Sequence, residues 1–180
     1  LVTRTQMLAN TARYGGALYN AGSSTIIDSS FLGNSASEDD ASQGGAIYVS
    51  NQLTMTASSV TGNESTDSGG GIYINGTGSG AAWVSLSNIS TNVANSDIAN
   101  GGSGGGVYHH SGAFTSTLNS ITLNAALPSV PIRSGTASAE GGGIYSASDT
   151  NLFFTLVDGN AAESGAGLFN AAPASTTVTG

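Results

Sequence analysis

The chain has 180 residues, with three basic residues, all arginine, against eleven acidic ones and a formal charge of −8. That balance repels phosphate backbones and anionic lipid, which excludes nucleic acid as a partner. Charged residues are only 8% of the chain, far below the usual ~25%, and the lack of Cys excludes disulfides, thiolate metal sites and cysteine nucleophiles. No apolar run approaches the roughly 18 residues of a membrane span, and no basic, hydrophobic leader opens the sequence. A soluble chain, mature or excised, with one domain over 1–180, is the expectation.

Two signals alternate in chain order. The first is an apolar residue three places before an asparagine: Met7/Asn10, Phe31/Asn34, Val60/Asn63, Ile89/Asn92, Ile121/Asn124 and Val157/Asn160. The second is a glycine pair or near-pair leading into an aliphatic-aromatic step: GGALY from Gly15, GGAIY from Gly44, GGGIY from Gly69, GGGVY from Gly104, GGGIY from Gly141 and GAGLF from Gly165. From aliphatic residue to asparagine the distance is nearly constant, 16 residues for Leu18 to Asn34, Ile47 to Asn63 and Ile144 to Asn160, 17 for Val107 to Asn124 and 20 for Ile72 to Asn92. From asparagine to the next aliphatic residue it ranges from 8 (Asn10 to Leu18) to 20 (Asn124 to Ile144), so length variation is confined to one corner of the repeat.

Segments such as Leu53 to Val60, Trp83 to Ile89 and Leu152 to Val157 are short and β-rich, and frequent glycine forbids long helices. A unit of this size, with two or three short strands, cannot bury its apolar face alone and must stack on its neighbours. The spacing predicts an all-β fold, a parallel β-solenoid of about six coils with variable loops at one corner. Stacking would place Asn10, Asn34, Asn63, Asn92, Asn124 and Asn160 in one internal amide ladder. Tyr19, Tyr48, Tyr73, Tyr108, Tyr145 and Phe169, each one residue after an inward aliphatic, would form an outward aromatic column. That column reads as a staple between coils or, alternatively, as a stripe for a glycan or partner.

GGALYNAGSSTIIDSSFLGNSA, Gly15 to Ala36, resembles the GGA(I/L)…FxxN repeat of polymorphic outer-membrane proteins and related bacterial β-helix surface proteins. Only this stretch carries the phenylalanine form; later coils place Val60, Ile89, Ile121 and Val157 there. The resemblance implies a right-handed β-helix, export, and an adhesive or structural role, and it carries no catalytic residues. Localisation is therefore expected to be secreted, at the cell surface or in the extracellular matrix of a bacterium or other microbe.

An enzyme is not expected. Lyase chemistry on acidic sugars would need a basic residue beside carboxylates that hold Ca2+, and Arg4, Arg13 and Arg133 are the only candidates. Asp28 and Asp158 stand four coils apart, on the order of 19 Å, too far for a glycosidase pair. His109 and His110 are consecutive and would point to opposite faces of a strand. The glycine run Gly101–Gly106 lacks the Asp of a calcium nonapeptide, and without Lys there is no phosphate-cradling loop.

Eight acidic residues, Glu38, Asp39, Asp40, Glu64, Asp67, Asp97, Glu140 and Glu163, fall between an Asn and the next glycine motif, and read as a solvated edge. Glu38, Asp39, Asp40 and Asp67, from adjacent coils, are the one candidate Ca2+ cluster; no other cofactor is expected. Asn75, in NGTGSG, is the one sequon placed for a glycan, and Thr54/Thr56 and Thr115/Thr117 form only a broken Thr-x-Thr array. Leu1, Val2 and Met7 already occupy strand positions, so both ends read as cut within a coil. The expected partners are further copies stacked head to tail or a longer parent chain, with a host surface, matrix or glycan beyond; a carbohydrate-binding or carbohydrate-cleaving β-helix is the rival reading.

Overall fold

The computed structural model describes residues 1–38, 41–76, 81–95, 102–128 and 138–180. The chain is a right-handed parallel β-helix of about six coils. Its strands lie in four parallel sheets, and in each sheet the neighbours are consecutive coils. Sheet one runs from Val2–Thr3 through Ser23–Ile27, Gln52–Thr56, Ala81–Ser85, Ala113–Thr117 and Thr150–Phe153 to Thr176–Thr179. Sheet two holds the apolar-x-x-Asn segments, Gln6–Leu8, Ser30–Leu32, Ser59–Thr61, Asn88–Ser90, Ser120–Thr122 and Leu156–Asp158. Sheet three holds Thr11–Ala12, Ser35–Ala36, Glu64–Ser65, Val93–Asn95 and Ala125–Leu127. Sheet four follows the glycine motif, with Leu18–Asn20, Ile47–Val49, Ile72–Asn75, Val107–Ser111, Ile144–Ser146 and Leu168–Asn170.

Four strand segments per coil exceed the two or three expected. The third sheet is the addition, and it explains the difference: its strands are as short as two residues, rich in Ala and Ser, and lie just after the asparagine, where the sequence reads as loop. Val93–Asn95 and Ala125–Leu127 are therefore strands, and the length variation begins only after them. Register survives these insertions, because Ile72 pairs with both Ile47 and Val107, and Val60 with both Phe31 and Ile89.

Strand alternation fills the interior. Phe31, Val60, Ile89 and Ile121 from sheet two meet Ile26, Leu53, Met55, Val84 and Phe114 from sheet one and Ile47, Ile72, Val107 and Ile144 from sheet four, all in one buried cluster. Sheet three contributes small inward residues, Ala36, Ser65, Ala94 and Ala126.

Three single positions with positive φ recur in each coil, and Gly112 adds a fourth in one of them. Between sheets one and two they are Arg4, Asp28, Ala57, Leu86, Leu118 and Phe154; just before the asparagine they are Ala9, Gly33, Gly62, Thr91, Leu123 and Gly159; ahead of sheet four they are always the first glycine of the motif. One left-handed residue redirects the chain without an extra loop, which keeps successive coils superimposable. The second glycine serves another purpose. A Cβ on Gly45 would collide with the carbonyl oxygens of Gly70 and Glu64 in the next coil, whereas one on Gly33 meets nothing within 4 Å.

Gly45→Ala is therefore expected to cost at least ~3 kcal/mol, since backbone must move, and Gly33→Ala only the ~1–2 kcal/mol of a left-handed alanine. Urea unfolding of the two variants checks this ordering; equal losses would contradict it.

Candidate functional site

The asparagines that open each sheet-three segment stack in a continuous chain. Asn34 donates its backbone N–H and its Nδ2 to Asn63 Oδ1 at 2.8 and 2.9 Å, Asn63 donates the same pair to Asn92 Oδ1 at 3.0 and 2.9 Å, and Asn92 to Asn124 Oδ1 at 3.0 and 2.9 Å. Asn10 joins at one end and Asn160 at the other by the same two bonds. The second Nδ2 hydrogen reaches back to the coil before: Asn63 to Phe31 O at 3.1 Å, Asn92 to Val60 O at 2.9 Å, Asn124 to Ile89 O at 3.0 Å. Both amide hydrogens and the oxygen are thus spent, as burial demands.

A second ladder runs at the corner between sheets one and two, and sequence reasoning missed it. Ser29 N–H donates to Ser58 Oγ at 3.1 Å, Ser58 N–H to Ser87 Oγ at 3.1 Å, and Ser87 N–H to Asn119 Oδ1 at 2.8 Å. Each hydroxyl donates back within its own coil, Ser58 to Thr56 O at 2.8 Å and Ser87 to Ser85 O at 2.7 Å. Its signal is a small polar residue five places before every ladder asparagine: Thr5, Ser29, Ser58, Ser87, Asn119 and Thr155.

On the outer face of sheet four the aromatic rings stack almost in parallel. Centroids of Tyr19–Tyr48, Tyr48–Tyr73, Tyr73–Tyr108, Tyr108–Tyr145 and Tyr145–Phe169 are 5.2, 5.1, 4.9, 4.5 and 5.3 Å apart. Tyr14 tilts against Tyr48 with Arg13 over its ring, and His110 lies beside Tyr73 and Tyr108. The faces of the inner rings are therefore occupied by their neighbours, and Tyr73 is only 6% exposed. A sugar approaching the inner rings of this column meets ring edges and hydroxyls, not open faces. Burial pushes the Tyr73, Tyr108 and Tyr145 hydroxyls above the usual phenol range, so they stay neutral.

Of the candidate calcium ligands, Asp39 and Asp40 lie outside the described residues. Glu38 is exposed, and Asp67 accepts hydrogen bonds from Gln43 Nε2 at 2.9 Å and Ser68 Oγ at 3.1 Å. Among the described residues no three Asp, Glu, His or Cys side chains gather as a metal site. Asn75 ends a strand instead of lying in a loop, and its amide is bonded to Tyr48 Oη at 3.2 Å and Ser111 Oγ at 2.9 Å, so it is not held free for a glycan. Glu64 likewise sits in a sheet-three strand, not in the variable corner.

A shallow groove of about 740 Å3 follows the corner between sheets one and two across four coils. Ser30, Ser59, Asn88 and Ser120 line it in strand register, Asp28, Ala57, Leu86 and Leu118 form a row at the corner, and Ser29, Ser58, Ser87 and Asn119 lie beneath.

His109 and His110 point to opposite faces. His109 is fully buried, with Nδ1 2.8 Å from Thr150 Oγ1, Phe114 at its ring edge and Nε2 without a partner. Burial lowers its pKa from 6.5 to about 4, against a smaller opposite pull from the backbone of Gly112 and Ser111. An unfolded chain therefore takes up a proton near pH 6.5 that the folded chain refuses until about pH 4. Stability supplied by the neutral ring is complete above pH 6.5 and falls as pH drops through this window. Between pH 7.5 and pH 5 the wild type should lose about 2 kcal/mol more than His109→Val, measured by urea unfolding; parallel losses would show that His109 titrates normally.

Residues 28–50 match the model of the Chlamydia polymorphic membrane protein repeat. No curated protein and no solved structure matches. The matched stretch holds three left-handed corner residues, Asp28, Gly33 and Gly44, with the Phe31–Asn34 step and the GGAIY motif, so it covers most of one coil of the structure. The chain is thus built on a coil similar to the repeat of the Chlamydia polymorphic membrane proteins.

Proposed function

We propose that the chain is a non-catalytic β-solenoid of a microbial surface, acting as a rigid adhesive or structural rod. The observation that carries this reading is where the repeat spends its polar chemistry. Two ladders consume buried amides and hydroxyls in joining coils, and the outer faces keep an almost uncharged Thr, Ser and Asn surface over a stiff core. Such a rod displays the same group once per coil, which suits repeated weak contacts with a surface. The matched repeat supports a surface location.

Adhesion tests the reading. Latex beads coated with the purified chain should bind cultured epithelial cells or immobilised extracellular matrix well above albumin-coated beads; binding equal to albumin overturns the adhesive role. A second reading, that copies stack head to tail into fibres, is motivated by the outermost strands of sheet one, Val2–Thr3 and Thr176–Thr179, each of which pairs on one side only. Concentration-dependent filaments in negative-stain micrographs would support it, and monodisperse particles at every concentration would remove it.

A further inference from the structure

We infer that the groove at the corner between sheets one and two binds a linear, uncharged oligosaccharide lengthwise, one pyranose per coil; this deepens the adhesive reading and rests on it. The first observation is backbone geometry. Ahead of sheet four every coil turns on glycine, yet at this corner no coil does: Asp28, Ala57, Leu86, Leu118 and their counterparts hold positive φ with a side chain attached. Each such residue costs about 1–2 kcal/mol that glycine would spare. Sustained strain of this kind points to a use for the side chains. Leu86 and Leu118 are 60% and 53% exposed, so that use is not core packing.

The second observation is the chemistry of the lining. Ser30, Ser59, Asn88 and Ser120 present hydroxyls and one amide, with Asp28 as the only charge. Ser59 donates to Ser30 at 3.1 Å and Asn88 Nδ2 to Ser90 Oγ at 3.0 Å, leaving Asn88 Oδ1 and Ser120 Oγ uncommitted within the described residues. Hydroxyls and an amide beside an aliphatic row match a sugar, which offers hydroxyls at its rim and C–H groups on its faces. The serine ladder beneath fixes the lining in advance, so little order is lost on binding.

The third observation is spacing. Equivalent groups recur each ~4.8 Å along the axis, near the advance of one β-1,4-linked pyranose; successive units of such a chain are turned over, so the same edge returns at every second coil and stays in step, whereas same-face side chains of an extended peptide recur each ~6.7 Å and drift out of step. Nucleic acid is repelled by Asp28 and by the net charge of −8.

The test is calorimetric titration of the purified chain with linear β-1,4-linked oligomers of glucose and of N-acetylglucosamine, two to six units long. Affinity should rise at least tenfold from dimer to tetramer and then level, because four coils line the groove. Asn88→Ala combined with Ser120→Ala, both outward-facing, should weaken tetramer binding at least tenfold with an unchanged circular dichroism spectrum, while Tyr19→Ala binds as wild type. Absence of binding by every hexamer at millimolar concentration, or equal binding by the groove variant, overturns the inference. Bead adhesion separates the two claims: no adhesion by the wild type defeats the adhesive role, whereas adhesion by the wild type with no oligosaccharide bound in calorimetry defeats only the groove.

Discussion

Everything in this molecule depends on a side-chain amide repeated at one point of each coil and oriented along the axis. A solenoid corner leaves backbone groups inside that no sheet can satisfy, and an unpaired buried donor costs about 1–3 kcal/mol. The asparagine answers this locally, since one oxygen takes the N–H and Nδ2 of the coil before while its own Nδ2 bonds coils on both sides. Linked amides also polarise one another, so the interior links are held more firmly than an isolated pair. The sequence separation between linked asparagines ranges from 24 to 36 residues, yet the bonds do not change. Most of the extra residues fall in sequence between a ladder asparagine and the next glycine pair, and the stretch from Ile72 to Asn92, 20 residues against the usual 16, carries more on the other side, yet the bonding positions stay in register.

The ladders set stiffness, and the corners set shape. Where a neighbouring backbone lies in contact, as at Gly45, only hydrogen fits; where the corner is open, glycine is optional, and Gly33 and Gly62 share one corner with Thr91 and Leu123. Core chemistry is correspondingly plain, apolar on sheets one, two and four and small on sheet three, with His109 as an ionisable exception among the described inward-facing residues. The side-chain ladders therefore join the coils from the inside, while the outward groups recur in register from coil to coil.

Much of the fold was legible in the sequence. The apolar-x-x-Asn steps and glycine motifs alternate too regularly for any architecture but a stacked one, and the strands they mark pair in register as expected. Sheet three was not legible, because two residues of Ala and Ser carry no β signal and gain their pairing only from the coils on either side. The serine ladder was present as a fixed offset from Asn34 and Asn63, but Ser and Thr are so abundant here that one more serine does not stand out. The groove was hidden for a different reason: it needs φ at Ala57, Leu86 and Leu118, which sequence does not disclose. Conversely, the tyrosine column was plain in sequence, while the closing of its ring faces by mutual stacking is a three-dimensional fact.

The most direct measurement is native-state hydrogen exchange resolved at the backbone amides of Asn34, Asn63 and Asn92. Their acceptors are side chains, not strands, so an account built on the ladder predicts exchange as slow as at Ile72 and Ile89 in the sheets, through global unfolding alone. Exchange at loop-like rates, with the sheet amides still protected, would show that the coils are held by their strands and that the asparagines merely fill space.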